Sequence, residues 1–383
     1  MTAQGDIVES QIGADLEPAF RAALIPCAEA AGLESAMAAL CKDLIEDNPF
    51  FAPAALLPAL DAYGDEKTRV ACVWGGDRLI GLWPVEQRLF YAKLPYRYWA
   101  TWTHPHCYYG APLIARGFEE PAFRELFALL CEGEDARSFA RLGRIERDGP
   151  VYAAAKAAVK ANKRMAYEAG AIARAVLQGG ASAEATIAVH VRKKKRKEIQ
   201  RLRNRLNEMG EVAVREATPT DDIAAWAEEF LLLEDKGWKG KKGTSLKSSD
   251  RDAEWFRQTL QRAHSAGELH FMRIDLGWRP IAMLATLLTN GTGYSLKICH
   301  DPDFDRFSPG VMIEIEAMRS LLAREDFRFA DSCAAPDHSM INGLWRARRV
   351  ITGLNVSGCG LGSKGGLALA KALEGARDRF PKE

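Results

Sequence analysis

The stretch "ELHFMRIDLGWRPIAMLATLLTNGTGYSLKICH", residues 268–300, decides how this chain folds. Apolar residues recur there in three runs broken at Gly277-Trp278 and at Asn290-Gly291, and both breaks carry the residue types that tight hairpin turns require. The spacing predicts three antiparallel strands in a meander. Downstream, "SPGVMIEIEAMRSLLARE" (308–325) has a helical apolar period with Pro and Gly at its start, and "FRFADS" (327–332) returns to a strand. Upstream, "EVAVREA" (211–217) reads as a short strand and "TPTDDIAAWAEEFLLLE" (218–234) as a helix with a Thr cap.

The first half has the same grammar. "TRVACVWGG" (68–76) and "RLIGLWPVEQRLF" (78–90) flank a Gly-Gly-Asp turn and predict a hairpin. Further strands are expected at 95–102, 108–114 and 138–146, with helices at 119–132 and 148–168. Before them, an Ala-rich stretch from about 15 to 47 predicts one or two amphipathic helices, ended by "DNPFFAP" (47–53). Each half thus reads as helices, a meander, a helix and another strand, which predicts duplication of one α+β domain. A linker around 170–190 contains "LQGGASAEAT" and places the boundary there. The expected organisation is a helical segment (1–46), a first domain (47–180), a second domain (181–356), and a Gly-rich link with a final helix (357–383).

Composition narrows the function classes. With 383 residues, two domains are the default expectation. The 52 Lys and Arg balance 51 Asp and Glu, for a net charge of +1, whereas a duplex nucleic-acid binder usually carries a domain-wide cationic excess. The cysteines at 27, 41, 72, 107, 131, 299, 333 and 359 form no C-x-x-C pair and no His-paired spacing, so free thiols in a reducing compartment and no metal are expected. "MTAQGDIVESQIGADL" (1–16) lacks the cationic start and apolar run of a secretory signal. No run approaches the roughly 20 apolar residues of a membrane span. A cytoplasmic protein, with peripheral contact at the inner membrane as a further option, is the expectation.

Charge is nevertheless concentrated in one place. In "VRKKKRKEIQRLRNRL" (191–206), Ile199, Leu202 and Leu206 fall at helical spacing among nine cations. One stripe can pack while the cations face water. Such a local patch suits a small anionic ligand, an anionic membrane surface, or solubility alone.

Four segments carry a family resemblance. "LLLEDKGWKGKKGTSL" (231–246), the meander, "RFSPGVMIEIEAM" (306–318) and "ADSCAAPDHSMINGLW" (330–345) together resemble the acyltransferase domain of the CelD-like group, which belongs to the GNAT superfamily and is related to FemAB-type aminoacyl transferases. The resemblance covers about residues 190–355, and "NPFFAPAALLPAL" (48–60) extends it into the first half. It implies tandem GNAT-like domains of α+β class, each a mostly antiparallel twisted sheet flanked by helices. It also implies acetyl-CoA or another acyl-CoA as donor, without a metal. The acceptor it implies is an amine on a sugar-nucleotide or lipid-linked sugar used for surface polysaccharide. Two alternatives stand beside this reading: a Fem-like transferase using aminoacyl-tRNA, and a non-catalytic scaffold that senses an anionic nucleotide.

Acyl transfer from a thioester needs a phosphate cradle, a donor for the carbonyl oxygen and a base for the amine. Arg306, Ser308, Gly310 and Val311 stand at a strand-to-helix turn where N–H groups and the helix dipole converge, and are the expected cofactor-binding residues. The superfamily's Q/R-x-x-G-x-G/A pattern is altered here, with Pro309 at the first Gly position. Glu234 is the first candidate for orienting or deprotonating the acceptor amine. Asp331 and His338 are the other catalytic candidates; relatives often place a Lys in the loop of His338, and this chain has none there. Trp238 and Lys239 can roof a pocket and meet phosphates. In "WTHPHCYYGAP" (102–112), Trp102, His106 and Tyr108 are candidates for acceptor binding by stacking. "RFAD" (328–331) and "RARR" (346–349) offer Arg forks for a cyclic dinucleotide. "GLNVSGCGLGSKGG" (353–366) does not match the P-loop pattern and is expected to be a flexible link.

Overall fold

The computed structural model describes residues 20–91 and 95–379. The first half runs β1 (Phe20–Pro26), α1 (Glu34–Leu40), α2 (Pro53–Tyr63), β2 (Thr68–Gly75), β3 (Arg78–Arg88), β4 (Tyr98–Thr101), β5 (Leu113–Ile114), α3 (Glu119–Cys131), β6 (Phe139–Glu146), α4 (Pro150–Ala161) and β7 (Ala166–Gln178). The second half begins with α5 (Ala183–His190), α6 (Lys193–Asn207), β8 (Val212–Glu216), α7 (Ile223–Lys236), α8 (Trp238–Lys241) and α9 (Asp250–Ser265). It continues through β9 (Leu269–Leu276), β10 (Arg279–Thr289), β11 (Thr292–His300), α10 (Pro309–Ala323), β12 (Phe329–Asp331), α11 (Ser339–Asn342), β13 (Ala347–Ser357) and α12 (Leu361–Arg379).

The second-half meander forms at the expected breaks. Gly277, Asn290 and Gly291 have φ of 61°, 46° and 75°, and two successive positive φ values at Asn290-Gly291 suit the right-handed twist of the strands they join. Among the described residues the strands make one sheet, in the order β1-β2-β3-β4-β6-β13-β7-β12-β11-β10-β9-β8, with β5 beside β3. The halves repeat one plan. β4 runs parallel to β6 through Trp99↔Ala140 and Ala100↔Arg141, and β11 runs parallel to β12 from Thr292↔Phe329 to Tyr294↔Asp331.

The strand that follows each parallel pair comes from the other half. β13, late in the chain, lies beside β6, while β7, from before the expected boundary, lies beside β12. β7 and β13 then pair with each other antiparallel from Ala347↔Val176 to Val356↔Ala166. This reciprocal exchange makes the sheet continuous across the expected linker. The residues at its seam therefore come from both halves.

The remaining differences share one cause, the override of local propensity by packing. The expected N-terminal helices are preceded by β1, which pairs along its whole length with β2; residues 1–19 lie outside the described residues. The expected linker contains β7 and α5 instead, and the helix predicted to 168 ends at Ala161. The sequence of β7, "AYEAGAIARAVLQ", is poor in β-branched residues, so neighbours on both sides set its conformation. The expected flexible link divides between β13 and α12. α12 packs Leu367 and Ala370 against Tyr91, Tyr98 and Phe139.

The basic tract forms α6, with Ile199, Leu202 and Leu206 buried and Arg192, Lys193, Lys194, Lys197, Arg201 and Arg205 exposed. That apolar stripe joins the core beneath α5, α6 and α10. Among the described residues no helix is long and apolar enough to cross a membrane.

Candidate active site

Pairing between β11 and β12 stops at Tyr294↔Asp331. Beyond that point the two strands diverge around a cavity of about 200 Å³, whose walls include Tyr108, Lys239, Lys297, Glu314, Cys333 and His338. Tyr108 arrives from the first half, so the cavity lies where the halves meet. Its charged groups are held in different ways, and those differences decide what each can do.

Lys297 sits within β11, between Leu296 and Ile298. Its Nζ lies 2.9 Å from His106 Nδ1 and 3.3 Å from the Tyr108 hydroxyl, with no carboxylate hydrogen-bonded to it among the described residues. Burial, and then the charge of Lys239, push its pKa down to about 8. Glu314, on the second turn of α10, is buried and its Oε2 has no hydrogen-bond partner among the described residues. Burial alone raises its pKa to about 8, so near neutral pH it is largely the uncharged acid. Neither residue was among the sequence candidates. The sequence offers only their apolar flanks, Leu296 and Ile298 for Lys297 and Ile313 and Ile315 for Glu314, and these do not by themselves mark a site.

The predicted residues take several positions. Glu234 is buried at the end of α7; Oε1 accepts from Lys239 Nζ at 2.5 Å and Oε2 from the Leu246 N–H at 2.7 Å. It thereby holds the Lys239 loop against the cavity. Trp238 is exposed, with Lys242 Nζ 5.1 Å from its ring centre, and does not line this cavity. His338 lines the cavity and caps α11, its Nδ1 accepting from the Ile341 N–H at 3.4 Å. Trp102 is buried in the core. His106 stacks on Trp255 with ring centres 4.5 Å apart, and its Nε2 stands 3.6 Å from Asp252 Oδ2. Burial and then Lys297 lower the His106 pKa to about 3, so the ring is neutral.

Asp331 does not line this cavity. It is fully buried, with Oδ2 accepting from Arg174 Nη1 at 3.2 Å and Arg349 Nη1 at 3.3 Å, and Oδ1 accepting from the Cys333 N–H at 2.7 Å. A carboxylate so engaged binds strands together and has no oxygen free to act as a base. Arg349 also meets Glu146 at 2.9 Å, and Arg328 pairs with Asp47, so these members of the two proposed Arg forks are occupied within the protein.

The turn before α10 lies beside a second, larger cavity. Ser308 has φ 55° and ψ 50°, caps α10 without a side-chain hydrogen bond, and accepts both the Val311 and Met312 N–H groups on its carbonyl at 3.1 Å. Pro309 has no N–H, which leaves the Gly310 N–H as the open donor of the turn. A Cβ at Gly310 would stand 3.3 Å from His300 Nδ1 and 3.8 Å from Met340 Sδ, so a larger side chain would fill this space. Val311 and Met340 then line a cavity of about 770 Å³ with Arg192, Lys194, Lys195 and Arg346. Arg306 is exposed and lies over the Phe307 ring, away from this group. Glu198 also lines this larger cavity and pairs with Lys195 at 3.3 Å, and the helix N-terminus with the remaining cations beside this channel fits a phosphate-bearing donor.

Residues 193–338 match the family model described as an acetyltransferase (GNAT) domain. This stretch is therefore similar to GNAT acyltransferase domains. Solved structures extend the likeness of fold over both halves. FemX aligns at 10% identity over 84% of this chain and 95% of its own, with a TM-score of 0.55. A conserved protein of unknown function from Bacteroides thetaiotaomicron VPI-5482 aligns at 13% identity over 88% and 99%, with a TM-score of 0.52. The C-terminal domain of a putative lysylphosphatidylglycerol synthetase from Agrobacterium fabrum aligns at 12% identity over 89% and 95%, with a TM-score of 0.51. No curated protein matches the sequence.

Proposed function

We propose that the GNAT domain moves an acyl group, acetyl first among candidates, from CoA to an amine on a sugar or sugar-nucleotide used in surface polysaccharide synthesis. One observation carries the donor half of this reading: the four-cation channel at the start of α10 lies beside the cavity between β11 and β12, and Met340 lines both. The channel suits the donor's phosphates. On its β12 side, the backbone of β11 beyond Tyr294 has no strand partner among the described residues and can take hydrogen bonds from an amide-bearing arm. The cavity, wide enough for a thioester and an amine, brings a neutral carboxylic acid and a depressed lysine to one place.

The amino-sugar acceptor rests on the resemblance of 231–246 and 330–345 to the CelD-like group. Thiol release from acetyl-CoA, measured with glucosamine, a nucleotide-linked amino sugar and a lipid-linked amino sugar, tests it. Turnover confined to one of these identifies the acceptor class; acetyl-CoA binding without turnover on any of them rejects it.

The exposed cations of α6 support a second reading, an aminoacyl-tRNA donor, because Lys197, Arg201 and Arg205 continue the charge beyond the channel. Such a donor would bind with a steep salt dependence. Filter binding of charged tRNA at 50 and 200 mM salt separates the two donors.

A further inference from the structure

The cations of the donor channel and the clamp at Asp331 have assigned partners or roles, but the cluster joining β11 to the 102–110 loop and α9 does not. Lys297 has three Nζ valences beyond its carbon chain. His106 Nδ1 at 2.9 Å takes one N–H, and the Tyr108 oxygen at 3.3 Å takes a second. Since Lys297 lines the cavity, the third valence is left for whatever enters there. On the far side of the imidazole, Asp252 Oδ2 stands 3.6 Å from Nε2. That separation is longer than a hydrogen bond, and Nε2 has no hydrogen-bond partner among the described residues, but the negative charge still favours the tautomer with hydrogen on Nε2 and an open pair on Nδ1. Asp252 is itself fixed by the Tyr63 hydroxyl at 2.8 Å.

We propose that Lys297 is the base that takes the proton from the acceptor amine, with His106 and Tyr108 aiming its third valence into the cavity and the charge of Asp252 favouring the His106 tautomer that accepts on Nδ1. This inference rests on the reading of the cavity as the site of transfer to an amine. The acceptor arrives as an ammonium and gives one proton to the neutral Lys297 amine, which frees the electron pair on the acceptor nitrogen. That pair forms the N–C bond to the thioester carbon. The C–S bond then breaks, and the leaving thiolate takes the second proton of the acceptor nitrogen. One proton remains on Lys297 and leaves to solvent when the products depart. His106 and Asp252 keep their protonation throughout and are positioning residues.

Other titratable groups facing Lys297 and His106 do not supply an equivalent base. Lys239 and Glu234 from α7 and α8 are paired with each other, and His104 is neutral, its pKa lowered to about 3 chiefly by burial. Glu314 from α10 is held in its acid form, and the Tyr108 hydroxyl is pushed above its ordinary range by burial.

Competitive labelling of the full chain with trace acetic anhydride from pH 6 to 11, read lysine by lysine by mass spectrometry, tests the proposal without relying on turnover. Lys297 is expected to titrate near pH 8 and to acquire label at pH 7.5 ahead of exposed Lys193 and Lys197. Saturating acetyl-CoA should suppress that label at Lys297 and leave Lys371 on α12 unchanged. Asp252→Asn, which removes a nearby negative charge, should move the Lys297 titration to lower pH, and His106→Gln should slow its labelling. Titration of Lys297 together with the surface lysines, or identical Lys297 profiles in the wild type and both variants, would overturn the assignment. The acetyl-CoA binding reading would stand or fall separately on calorimetry.

Discussion

Asp331 Oδ2 accepts from Arg349 Nη1 at 3.3 Å, and this contact joins β12 to β13 across the exchanged strands of the sheet. Arg349 reaches Glu146 of the first half at the same time, while Arg174 of β7 supplies a second donor to Asp331. The ion cluster therefore lies at the seam between the halves.

Replacing Asp331 with Asn should accordingly lower stability. Two buried guanidinium groups would lose their shared carboxylate, at a cost of about 3–5 kcal/mol. The measurement is the urea midpoint by circular dichroism. A variant with an unchanged midpoint and no turnover would instead restore Asp331 as a catalytic group.

Glu314 should make stability depend on pH in a defined sense. Its folded pKa of about 8 lies above the ordinary 4.5, so the folded state binds the extra proton between those values. Its contribution is fully present below pH 4.5 and is lost as pH rises through 8. Glu314→Gln, which cannot ionise, should remove that part of the decline and gain roughly 1–3 kcal/mol over the wild type at pH 8.5 relative to pH 5. Thermal unfolding at the two pH values checks it.

Glu234 should act through the loop it holds. Glu234→Gln weakens the tie to Lys239 and keeps an acceptor for the Leu246 N–H, so a loss of about 1–2 kcal/mol in stability is expected. If Glu234 were itself the base, turnover would fall by orders of magnitude with stability almost unchanged.

The donor channel gives an electrostatic prediction. Arg192→Ala combined with Lys194→Ala should weaken acetyl-CoA binding by about 1–2 kcal/mol, roughly fivefold to thirtyfold, and flatten its salt dependence. Titration at two ionic strengths reads both effects.

The fold was legible in the sequence where local and tertiary preferences agree. The turns at Gly277 and Asn290-Gly291, the stripe Ile199-Leu202-Leu206 and the helix after Ser308 all follow from spacing. β7 and the crossing of β13 into the first half were not legible, because an Ala-rich strand is specified by neighbours far away in sequence. The site divides in the same way. Val311 lines the channel beside α10, and Tyr108, Lys239 and His338 line the cavity between β11 and β12. Lys297 and Glu314 did not stand out, since burial without a partner gives each its chemistry and a linear sequence does not display burial.

Calorimetric titration with acetyl-CoA, comparing the wild type with Gly310→Trp, tests the central claim most directly. The account predicts saturable binding to the wild type and its loss in the variant with the circular dichroism spectrum preserved, because an indole at Gly310 fills the space beside His300 and Met340. Absence of binding to the wild type, or equal binding to both proteins, would contradict it.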